Sequence, residues 1–187
     1  SDLKYLRPLI TAAIFSISTA VCAVASAQTY NLNVPLRVQE HSNWCWAGSS
    51  QMVLNFFGKT PSQCSEVNYA LGINYACGNS TFNWNSNANQ PNYTSAITSI
   101  LNAWGVSAST VGVLSQSNSN SRINANRPYV LLWQWTGGGG HFVVVKGYSG
   151  NYLYINDPWP GNGAYSRTYA STVKASDRYW YNTSVTN

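Results

Sequence analysis

Residues 129–156 limit the fold more than any other part of the chain, because they hold three apolar runs separated by turn signals. Tyr129-Val130-Leu131-Leu132-Trp133-Gln134-Trp135 reads as a strand, and the glycines at 137–140 break it. His141 to Gly147 reads as a second strand, Ser149-Gly150-Asn151 as a turn, and Tyr152 to Asn156 as a third strand. The preceding half has helical spacing instead. Trp46, Val53, Leu54 and Phe57 share one helix face, with Gly58 as the stop and Ser42 or Asn43 as the cap. Thr60-Pro61 starts a second helix running to Leu71. Ile97, Ile100, Leu101 and Trp104 mark a third, from Tyr93 to Trp104, stopped by Gly105. Residues 74–92 read as Asn-rich loop, and residues 115–127 as loop or weak helix. Helices first and strands later predict one α+β domain, a helical half followed by an antiparallel β half.

Lys4 and Arg7 precede an apolar stretch from Leu9 to Val24 that ends in Ala25-Ser26-Ala27. A basic start, an apolar core and a small-x-small end predict a secretory signal peptide over residues 1–27, with the mature domain at 28–187. The expected product is secreted, to the extracellular space or periplasm, with no stable membrane association after cleavage. Removing residues 1–27 takes Cys22 away and leaves Cys45, Cys64 and Cys77. An odd count in an exported protein suggests one disulfide and one free thiol. A Cys64–Cys77 bridge would close a modest loop and leave Cys45 free.

Composition then narrows the chemistry. Only 8% of residues are charged, and the chain holds 5 acids and 2 histidines. The 14% aromatic content excludes a charge-driven disordered chain. The net charge of +5 is too scattered to point to a nucleic-acid partner. Two histidines and no Cys-x-x-Cys give no zinc pattern, so no metal and no cofactor is expected.

Cys45 falls in the first turn of its predicted helix, where the helix dipole favours a thiolate. A nucleophilic thiol needs a base, and the candidates are His41 and His141. His141 opens a strand directly after four glycines that leave room for a substrate backbone. A turn centred on Ser149-Gly150 pairs Tyr148 with Asn151 and puts His141 opposite residue 158. A slip of one residue then puts Asp157 directly across from His141, able to accept its hydrogen bond. Gln39, six residues before Cys45, can offer a side-chain amide beside the Cys45 N–H as an oxyanion donor.

These segments resemble the papain-like cysteine peptidases. Gln39 followed by Cys45-Trp46-Ala47 is similar to that family's oxyanion glutamine and nucleophile motif. Gly140-His141 leading to Gly147-Tyr148 is similar to its histidine strand, and Asn156-Asp157-Pro158-Trp159 to the block with its third catalytic residue. The resemblance implies a papain-like fold, a thiol protease acting on protein or peptide substrates, and a monomer. It also implies that Trp159 shields the His141–Asp157 bond. Asp157 stands where plant and lysosomal members have asparagine, and Ser42-Asn43-Trp44 replaces their Cys-Gly-Ser. The closer similarity is to the compact bacterial secreted and effector-type branch and to the double-glycine leader peptidases.

Two other functions share parts of this pattern. A transglutaminase-like or amidase domain uses the same Cys, His, Asp order, although the Gln39–Cys45 spacing and Trp159 argue against it. A non-catalytic carbohydrate-binding domain could use exposed Trp, Tyr and Asn. Asn79-Ser80-Thr81, Asn92-Tyr93-Thr94 and Asn182-Thr183-Ser184 match the glycosylation pattern, read here as chance matches in an Asn-rich chain.

Overall fold

The computed structural model describes Ala20, residues 27–78 and residues 86–187. Apart from Ala20 and Ala27, the expected signal segment lies outside the described residues, as does Asn79-Ser80-Thr81. After a short strand β1 (Thr29–Asn31) come three helices, α1 (Cys45–Phe56), α2 (Gln63–Leu71) and α3 (Thr94–Ala103). Strand β2 (Ala108–Val111) and helix α4 (Gln116–Asn124) lead into β3 (Tyr129–Trp135), β4 (Gly140–Ser149), β5 (Tyr152–Asp157) and β6 (Gly163–Thr168). Helix α5 (Tyr169–Val173) and strand β7 (Arg178–Thr186) follow. The strands form one antiparallel sheet in the order β2-β7-β3-β4-β5-β6, with β1 also paired to β4.

The expected helical half and antiparallel β half are therefore both present. The polar stretch at 115–127 settles as α4, because the Ser115 hydroxyl caps it by accepting from the Asn118 N–H. Strands β2, β6 and β7 escaped the sequence reading. Their alternation is Ser-, Thr- and Tyr-rich rather than strongly apolar, so periodicity alone does not mark them.

The sheet divides the core in two. Trp46, Leu54, Ile97 and Leu101 from the helices pack on Val130, Leu132, Phe142 and Val144. The opposite face packs Leu131, Trp133, Val143, Val145 and Ile155 against Ile123 of α4, Trp180 of β7 and the partly buried Tyr169 and Val173 of α5. Successive strand residues point to opposite faces, so a continuous apolar run such as Val143-Val144-Val145 feeds both cores.

Two local expectations change. The α1 cap is Trp44, with no side-chain cap bond; Ser42 and Asn43 bond instead to Asn89. The β4–β5 turn centres on Gly150-Asn151, so Ser149 faces Tyr152. After a bulge at Lys146, Val144 faces Asn156. Continuing that register places Asp157 diagonal to His141, on the same face, rather than directly opposite. A diagonal neighbour remains within reach of two polar side chains.

Candidate active site

Cys45 is the first residue of α1, is half-buried, and is the free cysteine among the described residues, since Cys64 and Cys77 are joined in a disulfide. The first helical hydrogen bond runs from the Gly48 N–H to the Trp44 carbonyl, so the Cys45, Trp46 and Ala47 N–H groups precede the ladder. The two flanking tryptophans hold the helix start in place. Trp44 donates its indole N–H to the Ala88 carbonyl at 2.7 Å, and Trp46 to the Gln90 carbonyl at 2.9 Å. With the Asn89 bonds to Ser42 and Asn43, they tie loop 86–92 to α1. Asn89 carried no sequence signal, because its contacts span 46 residues of chain.

His141 enters from β4. Gly140 before it has a packing reason to be glycine: a Cβ there would lie 2.6 Å from the Trp133 carbonyl oxygen. That close approach seats the start of β4 against β3. His141 is buried, and its Nε2 lies 2.7 Å from Asp157 Oδ1. Its ring also interacts with the Cys45 thiol. With Nε2 engaged, Nδ1 is the nitrogen left for sulfur. Burial alone disfavours a charged imidazole, but the Asp157 hydrogen bond and the Cys45 sulfur outweigh it and raise the pKa to about 9. The other histidine, His41, packs edge-on against Trp44, and the cleft-lining residues do not include it.

Asp157 is buried and accepts four hydrogen bonds. Besides His141, the Trp159 backbone N–H donates to Oδ1 at 2.9 Å, while Asn162 Nδ2 and the Tyr165 hydroxyl donate to Oδ2 at 3.1 and 2.9 Å. Burial pushes its pKa up, yet the His141 hydrogen bond and charge, with the other donors, hold it below the usual value. Asn162 and Tyr165 were missed by sequence reasoning. Tyr165 faces Ile155 across β5–β6, a pairing visible only once β6 is known. Trp159 is 44% exposed, and its ring stands edge-on 6.4 Å from the His141 ring.

Gln39 is buried on the loop leading into α1, and its N–H donates to the Pro158 carbonyl at 2.8 Å. A Cβ on Gly48 would lie 3.1 Å from Pro158 Cβ, so glycine in the nucleophile helix lets the two loops close over it. The Gln39 amide donates to the His41 carbonyl at 3.0 Å and the Ser42 carbonyl at 2.9 Å. Both of its N–H bonds are therefore engaged, and donation to an oxyanion would require one to be shared.

Cys45, His141, Asp157, Gln39 and Trp159 all line one cleft of about 740 Å³. Residues 28–37 do not line it; β1 pairs with Gly147–Ser149, at the opposite end of β4 from His141. No cluster of potential metal ligands occurs among the described residues.

A helix-borne thiol facing a strand-borne imidazole, on an α+β fold of this topology, defines the class as papain-like cysteine peptidases. The chain belongs to the Peptidase_C39 like family, whose profile matches residues 31–186. It is by that membership a cysteine peptidase. Solved structures agree on the fold. A protein described as a C39-like peptidase from Bacillus anthracis is 17% identical, with a TM-score of 0.66, covering 86% of this chain and 98% of that one. The peptidase domain of Streptococcus ComA, described as a bifunctional ABC transporter in quorum sensing, is 16% identical with a TM-score of 0.57, covering 81% and 96%. A double glycine motif protease from an AMS/PCAT transporter, in complex with the leader peptide, is 19% identical with a TM-score of 0.55, covering 84% and 94%. No curated protein matches the sequence.

Proposed function

We propose that this cysteine peptidase is an exported endopeptidase that cleaves peptide bonds through a Cys45–His141–Asp157 triad. The observation that carries the reading is the 2.7 Å His141–Asp157 bond, in the cleft where the His141 ring also meets the Cys45 thiol. A pKa of about 9 keeps His141 protonated at neutral pH, as a partner for a thiolate. Cys45 Sγ attacks the substrate carbonyl carbon. The developing oxyanion is met by the Cys45 N–H, with Gln39 as the second donor if it releases a backbone carbonyl. His141 then passes its proton to the leaving nitrogen as the C–N bond breaks. Water, deprotonated by His141, hydrolyses the thioester, releases the acid and regenerates the Cys45 thiolate beside protonated His141.

Asp157 holds the imidazole orientation and its charge, and Trp159 covers one edge of the pair. The mature domain would begin at Gln28, one residue before β1. The Cys64–Cys77 disulfide fits an oxidising compartment, and no helix among the described residues is long and apolar enough to cross a membrane. Trp44, Trp46, Trp133 and Trp180 are buried in the cores, so these four are not available to stack on a sugar.

The test is Cys45→Ala. The variant is expected to fold normally, to lose cleavage of a random peptide library, and to lose labelling by an epoxide thiol inhibitor. Cleavage at the wild-type rate by that variant would sink the assignment. Amine incorporation without peptide cleavage by the wild type would favour the transglutaminase-like reading.

A further inference from the structure

One wall of the cleft carries charge that the hydrolytic steps do not use. Arg167 of β6 and Arg178 of β7 line it together with Cys45 and His141. Both lie over tryptophans of β3. Arg178 Cζ is 4.8 Å from the centre of Trp133 and 4.5 Å from that of Trp135, and Arg167 Cζ is 5.4 Å from Trp133. Trp135 in turn stacks with His141 at 6.5 Å and 14° between planes. His141, Trp135, Arg178, Trp133 and Arg167 thus form one connected series of ring and guanidinium contacts.

Stacking fixes the guanidinium planes while leaving their N–H edges available. Arg178 donates Nε and Nη2 to Asp177, at 3.1 and 3.0 Å. Arg167 donates Nε to the Ser171 carbonyl at 3.1 Å. Among the described residues, Arg178 Nη1 and both Nη atoms of Arg167 have no partner. The carboxylate lining the cleft is Asp157, and its oxygens are already taken by His141 and three other donors. The wall therefore offers one guanidinium, Arg167, with no carboxylate partner among the described residues, beside Arg178, which keeps Nη1 open next to its Asp177 pair.

We infer that Arg167 and Arg178 form a carboxylate-binding subsite that selects substrates with an acidic side chain on the leaving-group side of the cut bond. This rests on the peptidase reading of the same cleft. The side follows from chemistry. Cys45 borders two cavities, and His141, which protonates the leaving amine, lines only the one that holds the arginines. The other, of about 470 Å³, is lined by Leu132, Phe142, Tyr93 and Gly139 and receives the acyl side. A carboxylate on paired guanidinium groups forms charge-assisted, geometrically specific bonds.

The test uses fluorogenic peptides built on the best-cut library sequence, with Glu, Gln or Lys placed at each leaving-group position in turn. The readout is the Glu-to-Gln ratio of kcat/KM within each variant, so general damage cancels. At one position the wild type is expected to favour Glu about tenfold or more. The ratio should fall in Arg167→Gln and in Arg178→Gln, and Arg167→Glu should turn the preference toward Lys. It should also collapse toward unity at about 1 M salt. A wild-type ratio near one at every position overturns the subsite, as does a ratio that survives both glutamine variants or high salt. Those outcomes leave Cys45-dependent cleavage intact, whereas absence of Cys45-dependent cleavage of any library peptide overturns the peptidase reading itself.

Discussion

Asp157 shows how much a single residue can organise. Its four hydrogen bonds leave the carboxylate ionised despite burial, and that charge in turn holds a proton on His141. Asp157→Asn should therefore lower kcat and move the alkaline limb of kcat/KM from near pH 9 downward by about one pH unit or more. An alkaline limb unmoved in a pH–rate profile would show that His141 does not set it. The same pair links stability to pH. His141 has its pKa raised from 6.5 to about 9, so its contribution is complete below about 6.5 and disappears as pH rises through about 9. Asp157 has its pKa lowered, so its contribution is present above the ordinary carboxylate value of 3.8 and lost as pH falls through the native one. The stability gap between wild type and Asp157→Asn, followed by chemical denaturation, should be widest between those limits.

At the level of elements, the site depends on close approaches between a helix, a hairpin and two loops. Gly140 lets β4 begin against the Trp133 carbonyl, and Gly48 lets the Gln39 loop and Pro158 settle on α1. Gly140→Ala would put a methyl group 2.6 Å from a backbone oxygen that is held in the β3–β4 ladder. It should cost about 1–3 kcal/mol of stability and displace the neighbouring His141, so both the denaturation midpoint and kcat/KM should fall. A variant unchanged in both would remove the packing explanation for this glycine. The sequence made α1 and the β3–β4–β5 strands legible, because each has a strong apolar period and a glycine or turn stop. It did not expose the turn at Gly150-Asn151, whose register alone would set Asp157 opposite Val144, or the bulge at Lys146, which moves Asp157 opposite Val143, onto the His141 face and diagonal to it. Bulges insert one residue into a ladder and leave the alternation on each side looking normal.

Across the whole molecule, the disulfide and the cleft are separate systems. The bond joins α2 to residue 77, a separation of 13 residues, and neither cysteine lines the cleft. The double variant Cys64→Ser/Cys77→Ser should lose about 3 kcal/mol of stability, as expected for opening a loop of that size, while keeping Cys45-dependent cleavage at moderate temperature. Thermal unfolding and a peptide assay measure the two effects, and a loss of activity in protein that is still folded would show coupling. The sequence by itself determined the class of fold and the short inventory of groups able to do acid–base chemistry. Those follow from local periodicity and the scarcity of charge, both properties of the linear chain. Tertiary structure decided which histidine meets Cys45, brought Asn162 and Tyr165 to Asp157, engaged the Gln39 amide, and lined the cleft with Arg167 and Arg178. Those depend on strand order, with β7 inserted between β2 and β3, and on contacts between residues far apart in the chain. Local patterns do not encode such pairings; they arise when both faces of one sheet must be buried at once.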